Sequence, residues 1–413
     1  MRLLDRMLSR FVRTGTLTVI DPDGKAVVHQ GSTGPECTIR LTDARLYRTL
    51  FLNPELKAGE AYMDGTLIVE KGTIRDFLMI FAANRDHLRS QPLQKAVRDT
   101  YKKLRKIGSR NTLVKSRANV AHHYDLSNEL YELFLDDDLH YSCAYFASDE
   151  DTLETAQRQK LRHIAAKLDL KPGQRVLDIG CGWGGLAMYL AEVADVEVLG
   201  VTLSTEQHAL ATQRAKARGL QDRVRFELLD YRRAQGPFDR IVSVGMFEHV
   251  GVTQHAEYFG HVRDLLTPDG VALIHTIGRM GGPGAVSPWF RKYIFPGAHV
   301  PAVSEFSAAA EGAKLYITDI EILRRHYAET LLHWERRFQA RRAEVEAMFD
   351  ARFCRMWEFY LIAGEIGFRY GKQMVIQMQV AKTNDVLPIT RDYLMQTEAA
   401  LQKRERPLVQ RTG

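Results

Sequence analysis

The spacing of apolar positions changes character along the chain. Residues 1–13, Met-Arg-Leu-Leu-Asp-Arg-Met-Leu-Ser-Arg-Phe-Val-Arg, mix apolar and basic groups at helical spacing. That pattern fits an ordinary surface helix or a helix lying in a membrane interface. Short β-type runs follow at 17–20, 26–30 and 38–41, with the turn signal Asp21-Pro22-Asp23-Gly24 between the first two. A helical stretch is expected over 44–63, a strand over 66–70 and a helix over 74–84. Together they predict a small α+β domain at residues 1–90, without a recognisable catalytic group. Residues 91–118 read as a basic, mostly helical linker.

Beyond 119 the texture is different. A helix is expected over 153–168, and then strands (175–179, 196–201, 224–228, 240–244, 270–277) alternate with helices (186–192, 206–218). This βαβ rhythm predicts an α/β domain with a mostly parallel sheet covered by helices, spanning 119–400. Residues 321–349 read as an amphipathic, charged helical stretch, and 353–370 as apolar enough to be partly buried. Residues 401–413 look like a loose tail.

Composition narrows the function classes. With 413 residues the chain can bury two cores. No apolar run approaches the roughly 20 residues that span a bilayer. The N-terminus lacks a signal peptide's apolar core and cleavage site, so a cytoplasmic location is expected. The four cysteines, Cys37, Cys143, Cys181 and Cys354, have no paired spacing, which argues against a metal site or a disulfide framework. Charge is unevenly placed. Residues 95–117 hold nine Lys and Arg against one acid, Asp99, and Arg336, Arg337, Arg341 and Arg342 form a second run. Both are solvated helix faces or surfaces for anionic lipid headgroups. Nucleic acid is the weaker choice, because no nucleic-acid-binding motif accompanies the charge.

The chemistry sits in 176–185, Val-Leu-Asp-Ile-Gly-Cys-Gly-Trp-Gly-Gly, between a strand and a helix. Gly180, Gly182 and Gly184 let the backbone approach a ligand, and Asp178 before them can orient a polar group. A dinucleotide site would want Gly-x-Gly-x-x-Gly and an acid ending the next strand. Here an acid precedes the glycines, and the next strand ends in Gly200-Val-Thr-Leu-Ser. The pattern resembles the Asp-x-Gly-x-Gly-x-Gly of class I methyltransferases; a dinucleotide site and a purely structural turn are the alternatives. Many such enzymes hold the ribose with an acid ending the second strand, but Glu197 lies too early for that. Thr202, Leu203, Ser204 and Gln207 offer hydroxyls and an amide instead. Asp230-Tyr231 could reach the adenine edge, or Asp230 could simply be a turn residue.

A wider set of motifs resembles the cyclopropane-fatty-acyl-phospholipid synthase family. It comprises His123-Tyr124-Asp125-Leu126, Tyr141-Ser142-Cys143-Ala144-Tyr145-Phe146, the glycine segment 176–185, residues 200–204 and 241–251, His275-Thr-Ile-Gly278, and Lys292-Tyr-Ile-Phe-Pro-Gly297. The resemblance covers essentially all of 115–400. It implies a class I methyltransferase, Rossmann-like α/β domain with helical additions, preceded by the small α+β domain, which would dock on lipid. It also implies S-adenosylmethionine as methyl donor, Tyr141 and Ser142 in the cofactor site, and a cis-unsaturated phospholipid acyl chain as substrate.

In that family a carbocation forms, the new methyl group loses a proton to bound bicarbonate, and a cyclopropane closes. By motif the bicarbonate ligands are Cys143, Glu248, His275, the backbone of Ile277, and Tyr327. The family resemblance further suggests peripheral action at the inner face of the membrane and a homodimer. Tyr124, Tyr141, Tyr145 and Phe146 are candidate aromatic faces for the cation, with plain core packing as the alternative for each. The family's cysteine after a Tyr-Leu pair is missing, since Tyr360-Leu361 is followed by Ile362-Ala363-Gly364. Activity here cannot depend on it. The Gly- and Pro-rich stretch 278–288 also departs from the family and is expected to shape substrate entry. Two rival functions share these residues: a lipid C-methyltransferase that leaves a methyl branch or methylene group, and a non-catalytic lipid-binding protein.

Overall fold

The computed structural model of the chain describes residues 2–90, 100 and 127–407. The motif His123-Tyr124-Asp125-Leu126 and, apart from Thr100, the basic segment 91–118 lie outside the described residues. So do residues 408–413 of the expected tail.

The N-terminal stretch forms α1 (Arg2–Phe11), β1 (Thr14–Ile20), β2 (Ala26–Gln30), β3 (Ser32–Leu41), α2 (Leu46–Leu52), α3 (Pro54–Met63), β4 (Leu67–Lys71), α4 (Ile74–Ala83) and α5 (Arg85–Ser90). The strands make one sheet in the order β2-β1-β3-β4. Leu4, Met7, Leu8 and Phe11 are all buried, and Phe11 packs on Phe81 at 4.9 Å. Helix α1 therefore spends its apolar face on its own core, as an ordinary packed helix does. The single helix expected over 44–63 is two, because Pro54 cannot donate a backbone hydrogen bond and starts α3 afresh. Strand β3 begins earlier than expected; its first residues are exposed and so carry no alternating apolar signal. Helix α4 starts on a capping box, Thr73 Oγ1 accepting from Asp76 N–H and Asp76 Oδ2 from Thr73 N–H.

The second part continues with α6 (Asn128–Glu132), α7 (Leu153–Leu168), β5 (Arg175–Ile179), α8 (Gly185–Ala194), β6 (Glu197–Thr202), α9 (Thr205–Ala217), β7 (Val224–Leu228), β8 (Phe238–Val244), α10 (His255–Leu265) and β9 (Leu266–Arg279). Then come α11 (Pro288–Tyr293), α12 (Val303–Gly312), β10 (Tyr316–Leu323), α13 (His326–Ala340), α14 (Arg342–Met348), α15 (Ala351–Arg369), β11 (Gln373–Ala381) and α16 (Asp392–Gln402). Seven strands form one sheet in the order β10-β11-β9-β8-β5-β6-β7. Neighbours from β9 to β7 run parallel, and β11 is antiparallel to both β9 and β10. This is the class I methyltransferase arrangement. Val176 enters an apolar cluster with Leu161, Ile164 and Leu190, whereas Leu177 and Ile179 enter one with Tyr258, Phe259 and Phe306. Alternate residues of β5 thus serve different cores, as expected of a sheet covered on both faces.

Two corrections concern the C-terminal half. Residues 316–323, partly inside the stretch expected to be helical, form strand β10, and the helix starts only at His326. The charges that made this segment look like a helix face are tied down on the strand: Glu321 to His163 and Lys167, Asp319 to Arg391. Strand β11 was not expected. It is buried on both faces between β9 and β10; Gln377 and Gln379 alternate with Ile376, Met378 and Val380, a period-two signal that the sequence carries.

The described residues divide into two compact units, one of 2–90, 285–296 and 331–372 and one of 127–284, 297–330 and 373–407. Two segments expected within a single catalytic domain (119–400) thus group with the N-terminal stretch. Local periodicity reveals an apolar face but not its partner. Trp289 is fully buried, donates to Met63 Sδ at 3.3 Å and packs on Phe359 at 4.6 Å. The Lys292-Tyr293 motif grips Glu60 of α3. Glu60 Oε1 accepts from Lys292 Nζ (2.6 Å) and Tyr293 OH (2.9 Å), and Oε2 accepts from Lys57 Nζ (2.6 Å). Burial works against the Glu60 carboxylate, but these donors outweigh it and hold the pKa down to about 2. Its stabilisation is therefore complete above the ordinary carboxylate range and fades as pH falls towards 2. Glu60→Gln is expected to cost about 1.5–3 kcal/mol in urea denaturation at pH 7, with a smaller difference from wild type at pH 3.

Candidate active site

Strand β5 delivers Asp178 to the head of the sheet, where the chain turns through three glycines. Gly180, Gly182 and Gly184 have φ of 80°, 55° and 79°, the left-handed region that side chains disfavour. They do separate jobs. A Cβ on Gly182 would meet nothing within 4 Å, whereas one on Gly184 would lie 2.5 Å from Phe226 Cζ. Gly182 keeps space open for a ligand, and Gly184 lets α8 pack against the sheet.

The turn borders a cleft of about 1260 Å³, part of it open to solvent. Tyr141, Ser142, Asp178, Gly180, Gly182, Thr202, Leu203, Gln207, Asp230 and Tyr231 all line it. Gly184 and Ser204 do not. Gly184 stands at the start of α8, and Ser204 caps α9 by accepting from Gln207 N–H at 3.2 Å. Thr202 Oγ1 donates to Gln207 Oε1 at 3.0 Å, which fixes that amide at the wall. Asp230 is also a turn residue: its carboxylate accepts from the backbone N–H of Arg232 (3.0 Å) and from its guanidinium (2.8 and 2.7 Å). Asp178 is different. Its Oδ2 is buried with no hydrogen-bond partner among the described residues, and burial pushes the pKa up to about 7 against the pull of Lys160. A ligand bringing a cationic N–H donor fits that orphaned oxygen.

Sequence reasoning missed Lys160 and His140, both on the cleft wall. Lys160 is fully buried on α7 and donates to Ser142 Oγ at 3.0 Å, and burial pushes its pKa down to about 8. The available signal was its position in the stripe Leu153, Ala156, Lys160, Ile164, a charge on an otherwise apolar helix face. His140 Nδ1 pairs with the buried Asp136 carboxylate at 2.7 Å.

Cys143, Glu248, His275, Ile277 and Tyr327 do not line the cleft; Glu248 joins the β9 pair through Ile277, and Cys143 and Tyr327 lie on two segments fastened to each other. Glu248 follows β8 in a short turn, and Gly245 at its start donates to the His275 carbonyl at 2.9 Å. Glu248 Oε1 accepts the Ile277 N–H at 2.6 Å while Oε2 is buried without a hydrogen-bond partner among the described residues. Burial pushes this carboxyl up to about 7, although the Ile277 bond favours its ionised form. His275 and Ile277 lie two apart on β9, hence on one face. Burial, reinforced by the charges of Lys160, Lys167 and His163, pushes His275 down to about 3. Cys143 is buried, and burial pushes its thiol up, so it is no thiolate nucleophile.

Tyr327 is buried in the first turn of α13. That turn is fastened to the Cys143 segment by Ala144 N–H to Thr330 Oγ1 and Phe146 N–H to His326 Nδ1, both 3.0 Å. Tyr145 stacks on His163 (4.5 Å) and on His326 (4.8 Å), so neither face of its ring is left for a cation. Tyr141 meets Tyr131 edge-on at 5.2 Å.

The family described as mycolic acid cyclopropane synthetase matches residues 111–378. The chain belongs to this family. It is 42% identical over 337 residues to the cyclopropane-fatty-acyl-phospholipid synthase of Escherichia coli, covering 80% of this chain and 84% of that one. It is also 35% identical over 390 residues to a tuberculostearic acid methyltransferase of Mycobacterium tuberculosis, covering 91% and 90%. A crystal structure of a mycolic acid cyclopropane synthase complexed with SAH and CTAB superposes with a TM-score of 0.61 at 34% identity, covering 64% of this chain and 97% of that one. As a member of the mycolic acid cyclopropane synthetase family the chain is an S-adenosylmethionine-dependent methyltransferase. This sets aside both the dinucleotide site and the non-catalytic lipid-binding protein.

An Asp178 carboxyl that accepts from a cofactor's ammonium group would make affinity depend on pH, because below about 7 a proton must first leave it. Calorimetric titration with S-adenosylhomocysteine is expected to show affinity falling by about tenfold per pH unit between pH 7 and 5. Asp178→Asn should bind more weakly and without that dependence.

Proposed function

We propose that the enzyme converts a cis double bond of a phospholipid acyl chain to a cyclopropane ring. In this reading Tyr141, Ser142, Asp178, the glycine turn, Thr202, Leu203, Gln207, Asp230 and Tyr231 hold the cofactor, with Ser204 and Gly184 shaping its loops. Bound there, S-adenosylmethionine supplies an activated methyl group. Cys143, Glu248, His275, the Ile277 backbone and Tyr327 hold bicarbonate, which supplies a base too small and too well anchored to capture the carbocation. An alkene is a weak nucleophile, so the protein's task is to orient it in a dry site and keep water from the cation.

Glu248 is the observation that carries this reading. A buried carboxylate with one oxygen fixed by a backbone N–H and the other unpaired can accept a proton passed on from the base. Its high pKa suits it to that exchange near neutral pH.

Work at the inner face of the membrane from the cytoplasm belongs to the same proposal. It is supported by the basic runs in the sequence and by the phospholipid named for the Escherichia coli relative. Among the described residues no helix is long and apolar enough to cross a membrane. A second reading, transfer that leaves a methyl branch or methylene group, is favoured by the similarity to the tuberculostearic acid methyltransferase.

The test uses purified protein, S-adenosylmethionine, bicarbonate and vesicles of cis-monounsaturated phospholipid, with acyl chains followed by mass spectrometry. The expected product gains one methylene unit and takes up no hydrogen under mild catalytic hydrogenation. A product that still takes up hydrogen has kept an alkene and contradicts the proposal. Glu248→Gln is expected to lower kcat by about 10²–10⁴-fold while S-adenosylhomocysteine affinity stays near wild type.

A further inference from the structure

Strand β11 sets Gln377 directly opposite His275 of β9. The two side chains meet at 3.2 Å, Gln377 Nε2 to His275 Nδ1, and both are buried. On its other side Gln377 Oε1 lies 2.9 Å from Lys167 Nζ. Lys167 is fully buried and is held by Glu321. Glu321 in turn accepts from His163 Nε2 at 2.6 Å, and His163 Nδ1 meets Glu398 Oε1 at 2.5 Å.

The direction of this chain follows from what each group can do. An ammonium group only donates, so it must face the amide oxygen of Gln377. The amide nitrogen, which also only donates, is thereby turned to His275, and His275 Nδ1 can only accept. The ring's proton is left on Nε2. Turning the amide over would set its N–H groups against the ammonium. Burial pushes the Lys167 pKa down, and the ion pair with Glu321 opposes that shift and holds the ammonium group against the amide oxygen.

We propose that Gln377 and Lys167 are positioning residues that hold His275 in its Nε2–H tautomer, making it a fixed hydrogen-bond donor to an anionic group in the site rather than a base. The proposal rests on the reading of His275 as a ligand of the bound anion. It goes beyond that reading by naming which ring nitrogen acts and what sets it. The low pKa of His275 agrees, because a ring that stays neutral carries a single N–H.

The experiment is long-range ¹H–¹⁵N correlation on full-length protein labelled at histidine and saturated with S-adenosylhomocysteine, with His275 assigned by comparison with His275→Gln. Wild type is expected to carry the proton on Nε2. Gln377→Glu keeps the shape and can still accept from Lys167 but cannot donate to the ring. It should move the proton to Nδ1 and lower kcat by at least about tenfold, less than the roughly 10²–10³-fold lost when an oriented donor is removed outright, with KM for S-adenosylmethionine unchanged.

A wild-type ring protonated on Nδ1 overturns the proposal. So does a Gln377→Glu enzyme in which the tautomer has moved and kcat has not. Should that variant not fold, the wild-type spectrum decides alone. No lipid is present in the spectroscopic arm, so a methyl-branched product in the assay would sink the ring-closure reading without touching the tautomer result.

Discussion

Asp178 and Glu248 each bury a carboxylate oxygen that has no hydrogen-bond partner among the described residues. Such an atom costs about 1–3 kcal/mol, more if charged, and the fold carries two of them near the head of one sheet. The surroundings are organised to hold these oxygens in place without satisfying them. The glycine turn fixes Asp178 at the cleft wall, and the Ile277 N–H pins one oxygen of Glu248 so that the other is left over. Burial pushes both carboxyls up to about 7, so each is poised to change charge near neutral pH.

The antiparallel strand β11 extends the same logic inward. It adds a polar seam, Gln377 and Gln379, to the sheet, and connects His275 to a buried ammonium and two carboxylates. A polar chain of this kind tolerates no inversion, since turning one amide would oppose donor to donor. The fold thereby converts a flexible choice, which ring nitrogen carries the proton, into a fixed one. Lys160 acts on the cofactor side. Its charge reaches Asp136, Cys143, Asp178 and His275, so the two groups of the site share one electrostatic environment.

Much of this was legible in the sequence, because the parallel strands and the glycine turn leave local signals. Asp178, the three glycines and the helices around them need only a strand, a turn and a helix start to be read. Nearly every expected cofactor residue lines the cleft; Gly184 and Ser204 build its loops instead. What stayed hidden depends on distant partners. Residues 331–372 read as helical stretches and 285–296 as the end of a Gly- and Pro-rich run followed by a motif, and neither carries a local sign of its partner until Glu60 and Met63 are placed beside Lys292 and Trp289. Strand β11 does carry a local signal, Gln377 and Gln379 alternating with Ile376, Met378 and Val380, but only its place between β9 and β10 shows that the glutamine face is buried as well. Lys160 reads as one more surface lysine until the helix face is traced residue by residue.

The central claim is that the transferred methyl group loses one proton beside Glu248 and His275 and that its carbon then closes a ring. It is tested most directly with S-adenosylmethionine carrying a fully deuterated methyl group and a cis-monounsaturated phospholipid, by measuring deuterium in the saturated product. The account predicts a ring carbon that keeps two of the three deuterium atoms. A product that keeps all three would mean that no proton was taken from the methyl group, and would contradict it.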